Sequence, residues 1–462
     1  MCLTDEECLR DGPERACLQI THIHRICAHK HLLPPDTADW CAIVMTFFLC
    51  AIAAGGGIGG GGLLLPLFIL LLAFTPHDAS PLTNVTVLGG AIANLAFYYN
   101  RQHPSGRKPL ISYEVALMME PMTMVGALAG VLLNKIFPGW LITVLLVIVL
   151  GITTKRTLTK GLSLWRKESV ALSRPDAAVS LLPQADKDRI SEALAEGEQL
   201  PETPGRDRTG LMASPQLSNL MLAERRSPKH DIGLLVLALF LCTLLSVLRG
   251  PNYASSPLRL HCGSAGYWGI IALQAVVLLL ISFYTRQVLL KRQQERVDAG
   301  YPFLPDDVQW TQSTSILYPL ACAIAGLCAG LFGIGGGIVK GPLMLEMGML
   351  PQVASATSAF MILFTSASAA LQYAMLGDLR PTYAAALFVS GLCGTACGQI
   401  LVGAAIRKYG RQSLIILIIA VIIGGSTLVM TVTGVMNLQN ELHEGKSQGF
   451  RPLCESAMVD DR

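Results

Sequence analysis

The chain has 462 residues, of which 52% are hydrophobic and only 15% charged, and its mean hydropathy is +0.49. Those values exclude an ordinary soluble domain, and nothing in them suggests nucleic acid. The formal net charge of +3 decides little, because in a membrane protein the side on which Lys and Arg fall matters more than their sum.

Residues 1–39 are polar and hold Cys2, Cys8, Cys17 and Cys27. If Cys262 and Cys454 lie on the same side of the membrane, six cysteines are available for disulfides in an oxidising compartment. Zinc is the competing reading, since His22, His24, His29 and His31 lie among them, but no CxxC pair is present. No cleavable signal precedes the cysteines, so the first apolar segment would direct insertion. Cys41, Cys50, Cys242, Cys322, Cys328, Cys393 and Cys397 fall in apolar sequence and read as small packing residues.

Apolar segments then follow near 41–74, 80–100, 112–134, 137–154, 231–249, 266–290, 314–349, 351–376, 381–406 and 412–435. A span needs roughly 20 apolar residues, so the chain reads as an all-α, multi-pass integral membrane protein of the plasma membrane or an endomembrane. Two segments are broken by glycine. The first break is GGGIGGGG at Gly55–Gly62, followed by Pro66; the second is GIGGG at Gly333–Gly337, followed by Pro342. An offset of 276 carries Gly57 onto Gly333 and Pro66 onto Pro342; an offset of 274 carries Thr83 and Asn84 onto Thr357 and Ser358.

Residues 40–155 and 314–435 therefore read as two pseudo-symmetric helical repeats. They are joined by a loop at 156–230, two linking spans within 231–290 and a shorter loop at 291–313, and 436–462 forms a tail. The loop at 156–230 reads as cytosolic and, over 171–230, disordered, since it mixes Pro, Ser, Glu and Ala with few aromatics. Basic clusters at Arg101–Lys108, Arg286–Arg296 and Arg407–Arg411 should also be cytosolic. All of them comply if each broken segment enters and leaves on one side, the first from outside and the second from inside, which makes the repeats inverted. Treating the broken segments as full crossings satisfies fewer loop charges.

A glycine run within a bilayer leaves backbone groups unpaired unless it lines a polar cavity. An unwound chain at Gly57, Gly59 and Gly60, and at Gly335, Gly336 and Gly337, would aim free N–H groups and a positive helix end at the midplane, which suits an anion. Close helix packing is the plainer reading of glycine, and it serves well for Gly126 with Gly130 and for Gly394 with Gly398. Lys340 lies three residues after the second break, where a charge normally costs several kcal/mol. It reads as the counter-ion of an anion, or as the partner of Glu346, or as snorkelling to the interface. Thr83, Asn84 and Thr86, and then Ser355, Thr357 and Ser358, could present donors to substrate oxygens or cap a helix, and the two roles do not exclude each other. Glu120 is an intramembrane carboxylate and a candidate proton carrier, unless it bonds within the bundle; Gln372 and Tyr373 are weaker candidates.

No HExxH, complete GxxxxGK[ST] or βαβ-borne GxGxxG is present, so no enzyme activity, cofactor or resident metal is expected. Duplicated broken helices point to secondary transport of a small anion. A receptor or scaffold that uses the cysteine segment and the long loop to bind proteins is the alternative, with a channel as a third reading. A homo-oligomer is compatible with any of these.

GGGIGGGGLLLPL at Gly55–Leu67, GIGGGIVKGPLMLEMGMLPQVASATSAFMILFTSASA at Gly333–Ala369 and EPMTMVGALAG at Glu120–Gly130 resemble the sulfite exporter TauE/SafE family in its larger eukaryotic form. The resemblance covers both hydrophobic halves. It implies export of sulfite or small organosulfur anions such as sulfonates, by two pseudo-symmetric helical units. The N-terminal cysteine segment, two linking spans and long loop depart from the compact bacterial members.

Overall fold

A computed structural model describes residues 15–19, 25–29, 32, 34–54, 59–106, 108–173, 228–250, 263–304, 306–409, 413–443 and 449–450. An antiparallel hairpin of β1 (Arg15–Gln19) and β2 (Arg25–His29) opens it, a feature the sequence reading did not anticipate. Its register sets Cys17 opposite Cys27, while Cys2, Cys8, Cys262 and Cys454 lie outside the described residues.

Helices make up the rest. They are α1 (Thr37–Ala54), α2 (Gly61–Leu71), α3 (Pro76–Tyr98), α4 (Tyr113–Ile136), α5 (Gly139–Ser173), α6 (Lys229–Arg249) and α7 (Ala265–Asp298). Then come α8 (Thr314–Phe332), α9 (Gly337–Glu346), α10 (Pro351–Met375), α11 (Pro381–Tyr409) and α12 (Ser413–His443). Eight helices among the described residues are long and apolar enough to cross a membrane. Local chemistry sets two of their starts: Thr75 accepts from the Asp78 N–H and Pro76 follows it at the head of α3, and Ser264 caps α7 through the Tyr267 N–H.

Helix ends and membrane ends do not coincide. The segment from 156, expected as loop, is helical as far as Ser173, and α7 likewise runs past 290 to Asp298. Hydropathy marks where apolar sequence stops; a helix continues until propensity fails, and no proline interrupts the chain before Pro175.

Both broken segments return to the end they came from. At one end of the bundle, the Tyr383 hydroxyl donates to Asp39 at the start of α1 while its ring lies edge-on to Phe74, just beyond α2. At the other end, Trp310 before α8 and Met349 after α9 line one cavity of about 490 Å³. Lys108, Lys229, Arg292 and Arg296 line that same cavity, so basic clusters from separate loops gather there. Lys135 binds Asp378 and Arg380 approaches Asp78 at the Tyr383 end.

The two halves interlock reciprocally. The first helix of each packs on the fourth of the other, α8 on α4 and α1 on α11, and α3 and α5 pack on α10 and α12. Glycine makes the closest crossings. A Cβ on Gly126 would fall 1.9 Å from the Ala323 carbonyl oxygen, and one on Gly394 would fall 2.4 Å from that of Phe47. These pairs are helix contacts that admit no side chain. The linking helices α6 and α7 pack together and cover α4 and α10.

Candidate functional site

The two breaks meet inside the bundle. A Cβ on Gly61 would lie 2.5 Å from Ile334 Cα, so only glycine permits the approach. Gly59 and Gly60 in the first break and Gly333, Gly335 and Gly336 in the second all adopt positive φ, between 68° and 78°, a backbone that L side chains rarely take. Gly57 lies outside the described residues. Gly60 and Gly336 stand immediately before α2 and α9, and no side chain caps either helix. Both helices therefore present buried N-terminal N–H groups and positive dipole ends at the crossing, α9 beginning at Gly337.

Lys340 lies in the first turn of α9 and is fully buried. Its Nζ donates to Glu120 Oε2 of α4 at 2.8 Å and to Thr365 Oγ1 of α10 at 2.7 Å, and the Thr365 hydroxyl donates to Glu120 Oε1 at 2.5 Å. This corrects the sequence reading: Lys340 pairs with Glu120, not Glu346, and it is not a lone charge. The two ionisable residues, 220 positions apart, form one closed triad with a threonine that sequence reasoning did not single out. A signal for Thr365 existed, since it falls two turns after Thr357 and Ser358 in the same apolar helix. Such a pair is tolerable in a dry interior only when its remaining lone pairs and protons find partners, which Thr365 provides.

The other expected donors divide. Thr83 and Thr86 lie inside α3 and bond back to the carbonyls of Ala79 and Leu82, so they do not cap it. Thr357 accepts the Ser112 N–H at 2.9 Å, tying α10 to the start of α4. Asn84 Nδ2 donates to the Ser80 carbonyl, but among the described residues its buried Oδ1 has no partner, and neither has the buried Ser358 Oγ. Orphaned polar atoms at two positions 274 residues apart are the feature expected where water or a ligand binds. Gln372 bonds Ser368, and the Tyr373 hydroxyl donates to the Gly330 carbonyl at 2.6 Å. Asn134 donates to the Leu331 carbonyl at 2.7 Å, so the last carbonyls of α8 are satisfied by side chains where the helix stops. No group of three or more His, Cys, Asp or Glu suited to a metal occurs among the described residues.

The sulfite exporter TauE/SafE family model matches residues 40–192 and 211–425. Sulfite exporter TauE/SafE family protein 3 of Arabidopsis thaliana is 30% identical over 432 residues, covering 92% of this chain and 86% of that protein. Family protein 2 of the same plant is 30% identical, covering 90% and 88%. Probable membrane transporter protein YunE of Bacillus subtilis (strain 168) is 32% identical over 128 residues, 27% of this chain and 42% of that protein. No solved structure matches. Both glycine breaks, both residues of the buried ion pair and the eight membrane-length helices, save the first three residues of α1, lie within a match that spans most of the chain, and the protein belongs to the sulfite exporter TauE/SafE family of multi-pass membrane transporters.

Proposed function

We propose that the protein is a secondary transporter that exports sulfite or a small organosulfur anion, with Lys340 as the cationic centre and Glu120 as its proton partner. The observation that carries this reading is the Lys340–Glu120–Thr365 triad, fully buried in the same core as two uncapped helix N-termini. The names of the Arabidopsis relatives support sulfite as the cargo.

The triad suggests how proton and anion are linked. In the resting site the ammonium neutralises the Glu120 carboxylate, and an incoming anion would leave one uncompensated negative charge. Proton transfer to Glu120 removes that conflict: the carboxyl becomes neutral, and Lys340 pairs with the anion. Net charge in the site is then unchanged. Thr365 can turn its hydroxyl from Glu120 to the anion, while Asn84 and Ser358 offer further polar atoms. Two re-entrant units that open to opposite ends supply one approach from each side. Proton and anion load together, and the direction of net flux follows the sum of their gradients.

The test is flux of labelled sulfite, sulfate and a small sulfonate in proteoliposomes, with and without a pH gradient, for wild type, Lys340→Met and Glu120→Gln. Saturable flux in wild type, abolished in Lys340→Met and insensitive to the pH gradient in Glu120→Gln, is expected. Equal flux in wild type and Lys340→Met, or none above empty liposomes, overturns the reading.

A further inference from the structure

The linking helices carry a second buried cation that the triad does not use. Arg249, the last residue of α6, is 1% exposed, and among the described residues none of its three guanidinium nitrogens has a hydrogen-bond partner. Its Cζ lies 5.3 Å from the ring centroid of Tyr267 on α7, and the buried Tyr267 hydroxyl is likewise without a partner. Arginine cannot shed its proton to escape burial. A ring face answers part of the charge but accepts none of the five N–H groups in the way an oxygen does. Asp378 is taken by Lys135. What the pair lacks is a compact acceptor with a negative charge and several lone pairs, which describes an oxyanion held by a guanidinium fork and a phenol.

A buried polar seam leads from this point towards the triad. Cys242, Ser246 and Arg249 share a face of α6, and Tyr267 and Gln274 share the facing side of α7. Gln274 Nε2 lies 2.7 Å from Cys242 Sγ and 3.3 Å from Ser246 Oγ; Cys242 Sγ lies 3.3 Å from Ser368 Oγ on α10. Ser368 follows Thr365 of the triad by three residues, on the same face of that helix. The Oε1 atoms of Gln274 and Gln372 are also buried without partners. Apolar packing of two linker helices would need none of these groups, and each orphan costs stability unless water or a ligand meets it.

We propose that Arg249 and Tyr267 form a second binding site for a small oxyanion, at the end of the bundle opposite the 490 Å³ cavity, joined to the Lys340 triad by the seam through Ser368 and Gln274. The inference rests on the transporter reading for the identity of the anion, but the site itself is a separate claim. It makes α6 and α7 part of the anion route rather than a tether between two halves.

Equilibrium binding of labelled sulfite to purified full-length protein tests it, alongside flux in proteoliposomes. Wild type should show two classes of site. Lys340→Met should lose one and keep the other; Arg249→Gln should lose the other, with affinity there at least about tenfold weaker. Arg249→Lys should recover part of that loss by restoring the charge. Tyr267→Phe leaves the fold and the guanidinium in place, and should weaken the same class a few-fold. If wild type moves sulfite but Arg249→Gln and Tyr267→Phe bind as wild type does, the second site is refuted and the transporter reading stands. If Lys340→Met retains a bound anion that Arg249→Gln loses, yet no variant or wild type carries flux, the site stands and the transport reading falls. A co-purifying phospholipid that native mass spectrometry finds on wild type and not on Arg249→Gln, with one class of sulfite site in both, also refutes it. So does wild type that binds no sulfite.

Discussion

Lys340→Met tests whether the buried triad is one energetic unit. The substitution removes the ammonium and both hydrogen bonds from Nζ, leaving Glu120, which is 0% exposed, with Thr365 alone. Stranding one partner of a buried pair costs about 3–5 kcal/mol, and Glu120→Gln, which strands the ammonium, should cost a similar amount. Replacing both partners removes both charges, so the double variant should be no worse than either single one, giving a coupling of at least about 3 kcal/mol. At about 2 °C per kcal/mol for a large domain, each single variant should melt ~6–10 °C below wild type. Intrinsic fluorescence melting in detergent micelles, run on all four proteins, reads the cycle. Additive losses, or a Lys340→Met melt equal to wild type, would show that the pair does not hold α4, α9 and α10 together and would remove the basis of the coupling scheme.

Gly126→Ala should separate α4 from α8 and lower stability by about 1–3 kcal/mol or more, because its Cβ would stand 1.9 Å from the Ala323 carbonyl oxygen. Gly151→Ala, in open space within α5, should instead raise the melting temperature slightly through helix propensity, about 1 kcal/mol at most. Asp378, in the turn after α10, has its carboxyl pushed above the ordinary 3.8 by burial, with Lys135 opposing the shift. Its folded form therefore holds the proton more tightly than the unfolded chain, and that contribution is fully present below pH 3.8 and lost as pH rises through the folded value. Asp378→Asn should flatten the melting curve against pH in the acid range; an unchanged slope would assign it to other groups. Cys17 and Cys27 are register partners in the antiparallel hairpin, where Cα atoms stand ~4.5–5.5 Å apart, within disulfide range. Digestion without reductant should release a linked peptide pair, and free alkylation of both thiols would refute the bridge.

Much of the architecture was legible because a bilayer imposes simple rules. Every span must be apolar and about 20 residues long, and positive loops collect on one side, so hydropathy and Lys/Arg placement mark where the spans run and which loops share an end. The glycine breaks and the offset between them could be read directly, since a positive φ and a contact at 2.5 Å leave glycine as the only residue that fits. Local chemistry was less legible where helix propensity outlasts hydrophobicity, as at 156–173 in α5, and where a short polar hairpin forms among cysteines. Of the two roles open to Thr83 and Thr86, capping is not the one they take, because the start of α3 is set by Thr75 and Pro76 a turn or more upstream.

The membrane class, the two breaks and the identity of the ionisable residues held within apolar sequence were readable from the chain alone, because each of these is a property of composition over one to a few helical turns. Which of these residues meet depends on how the helices cross. Glu120 and Lys340 lie 220 positions apart, and Thr365 completes their triad from a third helix; nothing local distinguishes Glu120 from Glu346 as the lysine's partner. Arg249 reads in sequence as an ordinary basic residue at a helix end, and only the packing of α6 against α7 buries it without an acceptor. Pairing across hundreds of residues depends on how whole helices cross, and the crossings depend on glycines that let backbones touch, so the site is a consequence of packing rather than of any single motif.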